Sequence, residues 1–258
     1  MGMEVKIGDA LLQHGNCLEL LPRLGAGSVN LIAADLPYGT TQCAWDSLIP
    51  LDDLWAEYRR VLAPGGCVVL TAAMPFTAVL VGSNLSWFRH DVVWQKNRPT
   101  GHLNANRAPL RAHESVLVFS PGQHTYNPQK TSGHRPVNHF YTRASGDCFG
   151  SAERETTGGG QTTRYPTSIQ PFPVVSNIGA ERIHPTQKPL ALIEWIVATY
   201  SNPGDMVLDN CFGSGTTALA AARLGRSFVG MEMDDDYFAA AVSRLRAEQQ
   251  QDNREEAA

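Results

Sequence analysis

The stretch Asp35-Leu36-Pro37-Tyr38 comes directly after the apolar run Val29–Ala34 and is followed by Gly39. The run is short, continuous and bounded by turn-forming residues, which is typical of a strand buried on both faces of a parallel sheet. Ligands of such sheets bind just beyond the carboxyl ends of the strands. The stretch therefore predicts an α/β fold with a candidate ligand site at 35–38.

The chemistry of this corner suits a planar, amino-bearing base. Asp35 accepts hydrogen bonds, Pro37 holds the carbonyl of Leu36 out of helical geometry, and Tyr38 adds an aromatic face. A strand end followed by a proline turn would use the same residue types. The four residues alone leave both interpretations open.

Length and composition favour one large α/β domain with an inserted segment, since the chain has 258 residues of which 43% are hydrophobic. No apolar stretch approaches the roughly 18 residues of a membrane-spanning helix, and the N-terminus lacks a charged leader. We therefore expect a cytoplasmic protein without membrane association. The five cysteines are scattered and form no Cys-x-x-Cys pair. This pattern predicts reduced thiols and no metal site.

The net charge of -4 conceals a division along the chain. Residues 87–188 contain twelve Lys and Arg against six Asp and Glu, so this segment is +6 and the remainder is -10. A basic cleft on an acidic body is typical of nucleic-acid binding, because phosphate neutralisation supplies most nonspecific affinity. A solvated loop with scattered arginines would give the same count.

Strand and helix patterns alternate along most of the chain, which predicts a mostly parallel, doubly wound sheet. From Lys96 to about Asn177 the periodicity is lost, apart from the strand Ser115–Phe119. Within it, 122–170 is rich in Gly, Thr, Ser, Pro and Arg with interleaved aromatics. Such a segment suits a surface that grips phosphates and contacts bases, and a variable surface insertion is the alternative.

A second motif lies far along the chain, where the strand pattern 206–209 leads into the glycine-rich turn Asp209–Thr217. Its glycines let a ligand approach the backbone. The next strand pattern ends at Glu232, and an acid in that position typically receives ribose hydroxyls. The turn lacks the full dinucleotide fingerprint, which favours a ligand without a pyrophosphate, such as S-adenosylmethionine. A glycine turn used for packing alone is the weaker alternative.

Together these residues resemble the amino-group (N4/N6) DNA methyltransferases, and their order resembles the circularly permuted β group. The matching strings are Asp35–Tyr38, His184–Pro189 and Asp209–Thr217. The resemblance implies a Rossmann-like S-adenosylmethionine-dependent methyltransferase fold. It divides the chain into a catalytic half (1–121), a target-recognition insertion (122–180), a cofactor-binding half (181–247) and a frayed tail (248–258).

The resemblance also implies roles for individual residues. Asp35 and the Leu36 carbonyl accept the amino hydrogens of a base extruded from duplex DNA, with Pro37 stiffening the corner and Tyr38 stacking on the base. The methyl group then passes directly from the sulfonium to the amino nitrogen. The S-adenosylmethionine site is expected to contain Asn16, Thr186, Lys188, Asp209, Gly213, Ser214, Gly215, Thr216 and Glu232.

The chain departs from the family pattern at three positions. Leu36 replaces a proline but still supplies a carbonyl, Cys211 replaces a phenylalanine that often contacts the cofactor, and Asn16 stands where Asp is more usual. Because the family associates Asp at position 35 with adenine enzymes, we expect N6-adenine specificity.

Three alternatives remain: a cytosine-N4 enzyme, a protein glutamine methyltransferase and a DNA-binding module without activity. In the glutamine enzymes the cofactor loop precedes the corner, whereas here it follows. The sequence leaves open the recognition site, a cognate restriction nuclease, and whether the protein is a monomer or a homodimer.

Overall fold

A computed structural model describes residues 3–39, 47–137, 159–176, 184 and 186–256. The strands are β1 Glu4–Ile7, β2 Ala10–His14, β3 Val29–Ala34, β4 Leu62–Ala72, β5 Phe88–Thr100, β6 Arg111–Phe119, β7 Ile169–Pro171, β8 Met206–Asp209 and β9 Ser227–Glu232. The helices are α1 Cys17–Leu20, α2 Leu51–Val61, α3 Phe76–Ser83, α4 Leu190–Tyr200, α5 Thr216–Arg223 and α6 Asp235–Glu256. The predicted strand before the corner and the predicted strand before the glycine turn are both confirmed.

The nine strands of the described residues form one sheet in the order β1-β2-β9-β8-β3-β4-β6-β5-β7. Strands β2, β9, β8, β3 and β4 pair in parallel, whereas β6 runs antiparallel to its neighbours β4 and β5. The mostly parallel sheet is therefore confirmed. The carboxyl ends of β3 and β8 lie side by side, which brings together two motifs that are far apart in sequence.

Helices cover both faces of the sheet, as expected for a doubly wound fold. Leu31 and Ala33 of β3 pack in one core with residues of α4, α5 and α6. Ile32 and Ala34 point the other way and pack with residues of α1, α2 and α3. Burial on both faces explains why the β3 sequence is continuously apolar and does not alternate.

Two strands extend beyond their predicted limits. The prediction placed irregular structure from Lys96 onward, but β5 continues to Thr100 and β6 already begins at Arg111, because Thr100 pairs with Arg111 in a long hairpin. The short strand β7 pairs with Val93–Gln95 and was not predicted. These polar segments owe their extended form to partners elsewhere in the chain and not to local hydrophobic periodicity.

The chain divides into two compact units. One runs to Asn127 and resumes at Ser168, and the other spans Pro128–Thr167. The second unit is shorter than the predicted insertion 122–180. Asn127 belongs to the first unit, where its backbone N–H donates to the Thr199 carbonyl at 2.7 Å.

Within the second unit, the described residues form two antiparallel segments. Thr131 and Arg164 exchange backbone hydrogen bonds of 2.9 and 3.0 Å, and the Lys130 ammonium lies 4.2 Å from the centre of the Tyr165 ring. Three aromatics of the predicted DNA-reading segment, Phe140, Tyr141 and Phe149, lie outside the described residues.

The predicted frayed tail 248–258 is wrong over most of its length, because α6 continues to Glu256. Glu248 forms an ion pair with Arg223 of α5, and the following Gln, Arg and Glu residues are good helix formers. Among the helices described, none has the length and apolar character needed to cross a membrane.

Candidate active site

A cavity of about 1120 Å³ opens at the carboxyl edge of β3 and β8. All of the predicted site residues except Gly215 line it, namely Asn16, Asp35, Leu36, Pro37, Tyr38, Thr186, Lys188, Asp209, Gly213, Ser214, Thr216 and Glu232. The structure thus brings together residues separated by up to about 200 positions in the chain. The cavity lies at the ends of two neighbouring parallel strands whose following helices cover opposite faces of the sheet. This is the usual ligand position in such sheets.

The Asp35 carboxylate is held by three side chains from different parts of the chain. Its Oδ1 accepts hydrogen bonds from the Tyr38 hydroxyl at 2.7 Å and from the Thr71 hydroxyl at 2.5 Å. Its Oδ2 accepts from the Lys188 ammonium at 2.5 Å. A carboxylate offers about four lone-pair positions. Three donors among the described residues therefore leave one position for a further donor.

Lys188 lies between two carboxylates, not simply beside the cofactor as the resemblance implied. Its Nζ is 2.5 Å from Asp35 Oδ2 and 3.5 Å from Glu114 Oε2, and Glu114 also pairs with Lys96. Burial by itself lowers the pKa of Lys188, but the neighbouring carboxylates outweigh it and raise the pKa above the ordinary lysine value. Lys188 therefore stays protonated and holds Asp35 in place.

The Tyr38 ring packs against α3. It stacks on Phe76 with ring centres 5.2 Å apart and an interplanar angle of 29°. Burial, followed by the charge of Asp35, raises the pKa of Tyr38 well above its usual value. The hydroxyl is therefore a stable donor to Asp35, and the corner is a rigid unit.

The glycine-rich turn is organised by Asp209. Oδ1 of this residue accepts from the Cys211 backbone N–H at 3.0 Å, and Oδ2 accepts from the Thr217 hydroxyl at 2.6 Å. The side chain is buried, and this burial raises the pKa of Asp209 to about 7 despite both hydrogen bonds. Asp209 thus lines the cavity while its carboxyl group shapes the turn itself.

The two glycines of the turn have different tasks. Gly213 has φ +51, and a Cβ built on it would meet only the edge of the His184 ring, at 3.9 Å. It therefore leaves the backbone open to a ligand. Gly215 has φ +75, and its Cβ would lie 2.9 Å from the Ala241 Cβ. Gly215 is needed where α5 packs against α6, which explains its absence from the cavity wall.

Glu232 closes the turn from the end of β9. Its Oε2 accepts from the Gly213 N–H at 2.8 Å, and Oε1 accepts from the N–H groups of Met233 and Asp234 at 2.8 and 2.9 Å. Burial raises the pKa of Glu232, and these three backbone hydrogen bonds oppose that rise. By the same count, the carboxylate still has one lone-pair position for a ligand hydroxyl.

The remaining predicted residues form another wall of the cavity. Asn16 caps α1, accepting from the Leu18 N–H at 3.0 Å. Thr186 bonds through its hydroxyl to His184 Nδ1 at 3.0 Å, and the His184 ring lies 4.2 Å from Tyr237 of α6. The adjoining Pro185 of the predicted motif falls outside the described residues.

Cys211, which departs from the family pattern, also lines the cavity. Its thiol interacts with that of Cys17 at the start of α1, which lowers the pKa of Cys17 and raises that of Cys211. A pair of thiols therefore occupies the position where the family has an aromatic ring.

Residues of the site that the sequence analysis did not assign include Thr71, Phe76, Lys96 and Glu114. Thr71 is a polar residue at the end of the apolar strand β4, a signal that resembles the one used for Asp35. Phe76 and Lys96 carry no comparable signal. Their place in the site follows from the packing of α3 and from the β5–β6 pairing.

A family model for N6/N4 methyltransferases, described as DNA methylase, matches residues 29–243 and includes both the corner and the glycine turn. The chain belongs to this DNA methylase family. The resemblance based on the motifs is confirmed at the level of the family, while the target base stays open.

Individual relatives of this DNA methylase agree with that assignment. It is 29% identical to the DNA adenine methyltransferase YhdJ of Escherichia coli (strain K12) over 251 residues, 90% of this chain and 81% of that protein. The M1.HpyAVI–SAM complex matches with a TM-score of 0.61 and 24% identity, covering 91% of this chain and 99% of that one. The cytosine-N4-specific PvuII DNA methyltransferase matches with a TM-score of 0.67 and 17% identity over 91% and 86%. Both structures confirm the methyltransferase fold.

Proposed function

We propose that this DNA methylase transfers a methyl group from S-adenosylmethionine to N6 of adenine in duplex DNA. The observation that carries the proposal is the Asp35 carboxylate, which lines the shared cavity with one acceptor position left beside the Tyr38, Thr71 and Lys188 donors. The 29% identity to an adenine methyltransferase supports the choice of base.

The residues around the glycine turn fit S-adenosylmethionine. The backbone is open at Gly213, where a side chain would intrude, and the Glu232 carboxylate beside it suits ribose hydroxyls. Asn16 would hold the adenine part, and Thr186 and Lys188 would hold the methionine part. Ser214, Thr216 and Asp209 shape the turn. The cofactor supplies an electrophilic methyl group on a sulfonium.

The corner positions the acceptor nitrogen. Asp35 and the Leu36 carbonyl accept the two amino hydrogens of the adenine, so that the nitrogen lone pair turns away from the ring plane. Pro37 keeps that carbonyl directed at the base, and the Tyr38 ring stacks on the base. As positive charge develops on the nitrogen, the charge-assisted bond to Asp35 strengthens. The proton leaves through Asp35, and no covalent enzyme intermediate forms.

The target base must leave the duplex stack to reach a corner that lies inside a cavity. We assign recognition of the DNA sequence to the second unit, Pro128–Thr167. Within this range, 138–158 lie outside the described residues. The described part of that unit offers the exposed basic side chains of Lys130 and Arg135, the half-buried Arg164, and the exposed Tyr165 ring.

Mass spectrometry of nucleosides tests the target base. DNA from cells that express the protein should contain N6-methyladenine, and methylation-aware sequencing of the same DNA should locate it at a fixed motif. DNA from cells expressing Asp35→Ala is the matched control. N4-methylcytosine without N6-methyladenine would favour the second candidate, a cytosine-N4 enzyme, which the likeness to the PvuII enzyme supports.

Salt dependence tests the DNA-reading assignment. Binding of the motif duplex should weaken steeply as salt rises, since several phosphate contacts release counterions. Replacing 128–167 by a short Gly/Ser linker should abolish discrimination between motif and non-motif duplexes and leave cofactor binding intact. Unchanged discrimination in the shortened protein would refute the assignment.

A further inference from the structure

The hairpin formed by β5 and β6 projects from the same edge of the sheet as the cavity. In the sheet, Ala34 of β3 pairs with Leu70 of β4, and Leu70 pairs in turn with Leu117 of β6. Strand β6 pairs with β5 as far as Arg111, six residues beyond that level. At about 3.3 Å per residue the hairpin extends roughly 20 Å past the end of β3. Its connecting loop therefore lies well beyond the catalytic corner.

The base of this loop belongs to the mouth of the cavity. Residues 98–102 line the cavity together with Asp35–Tyr38. A nucleic acid whose base enters the corner would therefore lie close to this loop. Its composition suits that position, because 96–113 contains four Lys and Arg, two His and no Asp or Glu. In the described part of the chain, Arg98, Arg107 and Arg111 are exposed and form no ion pair.

Leu103 stands at the tip of this basic loop. It is 102% exposed, whereas the other exposed large hydrophobic side chains of the described residues reach 67% at most. The backbone that carries it is ordered into a short 3-10 turn, His102–Asn104, entered through Gly101 at φ +91. Hydrogen bonds from Asn104 N–H to Gly101 and from Arg107 N–H to Asn104, at 2.9 and 2.8 Å, fix the turn.

We propose that Leu103 is a wedge that enters the base stack of duplex DNA at the target site and occupies the space left by the extruded base. An apolar side chain held out in water by a rigid turn gains by insertion between bases. The surrounding arginines supply the phosphate contacts that bring the loop to the duplex. Extruding a base costs unstacking energy, and a wedge offsets it by keeping the base from returning.

This inference rests on the proposed function, and its test separates the two. Two duplexes carry the motif found by methylation-aware sequencing: one is fully paired, and the other has an abasic site opposite the target base. The second duplex releases its target base easily and has little need of a wedge. Wild type, Leu103→Ala and the control Leu85→Ala are compared in kcat/KM on both. Leu85 is 67% exposed and lies before β5, at the opposite end of that strand.

Leu103→Ala should lose on the order of 10–100-fold in kcat/KM on the paired duplex and less than about 3-fold on the abasic duplex. Leu85→Ala should match wild type on both. Calorimetric binding of S-adenosylmethionine should be the same for all three proteins, which checks folding. Equal losses on the two duplexes, or no loss on the paired one, would overturn the wedge. A wild-type protein inactive on both duplexes would overturn the proposed function and the wedge with it.

Discussion

Two carboxylates end neighbouring strands of the sheet, yet their surroundings differ. Asp35 at the end of β3 is bound by Tyr38, Thr71 and Lys188, and its side chain is 28% exposed. Asp209 at the end of β8 is 3% exposed, and the described side chains and backbone groups that bind it, Cys211 and Thr217, belong to its own turn. A carboxylate that serves a ligand keeps an open side and is oriented by remote groups. A carboxylate that shapes a loop uses its lone pairs on that loop.

The electrostatics of the two sites reinforce this contrast. Lys188 is held protonated between Asp35 and Glu114, so that a positive charge always faces the corner. No described cation contacts Asp209, and burial raises the pKa of this residue to about 7. The corner therefore faces a fixed positive charge, while the turn tolerates a neutral acid.

The largest expected effect comes from removing the proposed catalytic carboxylate, Asp35. Asp35→Ala should lower the rate of methyl transfer by at least about 10²–10³-fold, because the amino group loses its charge-assisted acceptor. Binding of S-adenosylmethionine should stay within a few-fold. Radiolabelled methyl transfer and calorimetric titration measure the two quantities.

Glu232→Ala is the reciprocal variant for that experiment. It should weaken cofactor binding by about 1–3 kcal/mol while the corner stays intact. If Asp35→Ala lost cofactor binding as severely as Glu232→Ala, the division of roles between corner and turn would be wrong.

The next largest effect concerns the cation between the carboxylates. Lys188→Met should lower the free energy of unfolding by about 3–5 kcal/mol, since Asp35 and Glu114 would face each other without the buried charge that now separates them. Urea unfolding at pH 7 measures it, with the exposed Lys6→Met as control. Adding Glu114→Gln should recover part of the loss. A cost below about 1 kcal/mol would show that the corner does not depend on Lys188.

The contrast between the two acids also marks the limit of sequence reasoning. Both Asp35 and Asp209 follow an apolar strand and precede a turn, so the sequence predicted a site at each, and the cavity contains both. Their different burial depends on contacts with distant elements. Likewise, the packing of Gly215 on Ala241 and the pairing of Lys188 with Asp35 join segments that no local pattern connects. Local hydrophobic periodicity predicted the strands that precede Asp35 and Asp209, whereas long-range contacts determine the role of each of these residues.

The same reasoning explains which elements were predicted in full. Strands β3 and β8 show their apolar patterns within a single short window, and both were found where expected. The ends of β5 and β6 are polar and exist because they pair with each other, so hydrophobic spacing could not reveal them.

The smallest expected effect is a change in how stability depends on pH. The folded pKa of Asp209, about 7, lies above the unfolded value near 3.9, so the folded protein holds a proton that the unfolded chain releases. The stability that this proton contributes is fully present below about pH 4 and is lost as pH rises through 7.

Asp209→Asn cannot ionise. Between pH 5.5 and 7, wild type should lose about 1.5 kcal/mol relative to this variant. Urea unfolding at several pH values, with the exposed Asp236→Asn as control, measures the difference. Parallel pH profiles for wild type and Asp209→Asn would mean that Asp209 is already ionised in the folded turn, and the contrast with Asp35 would then rest on geometry alone.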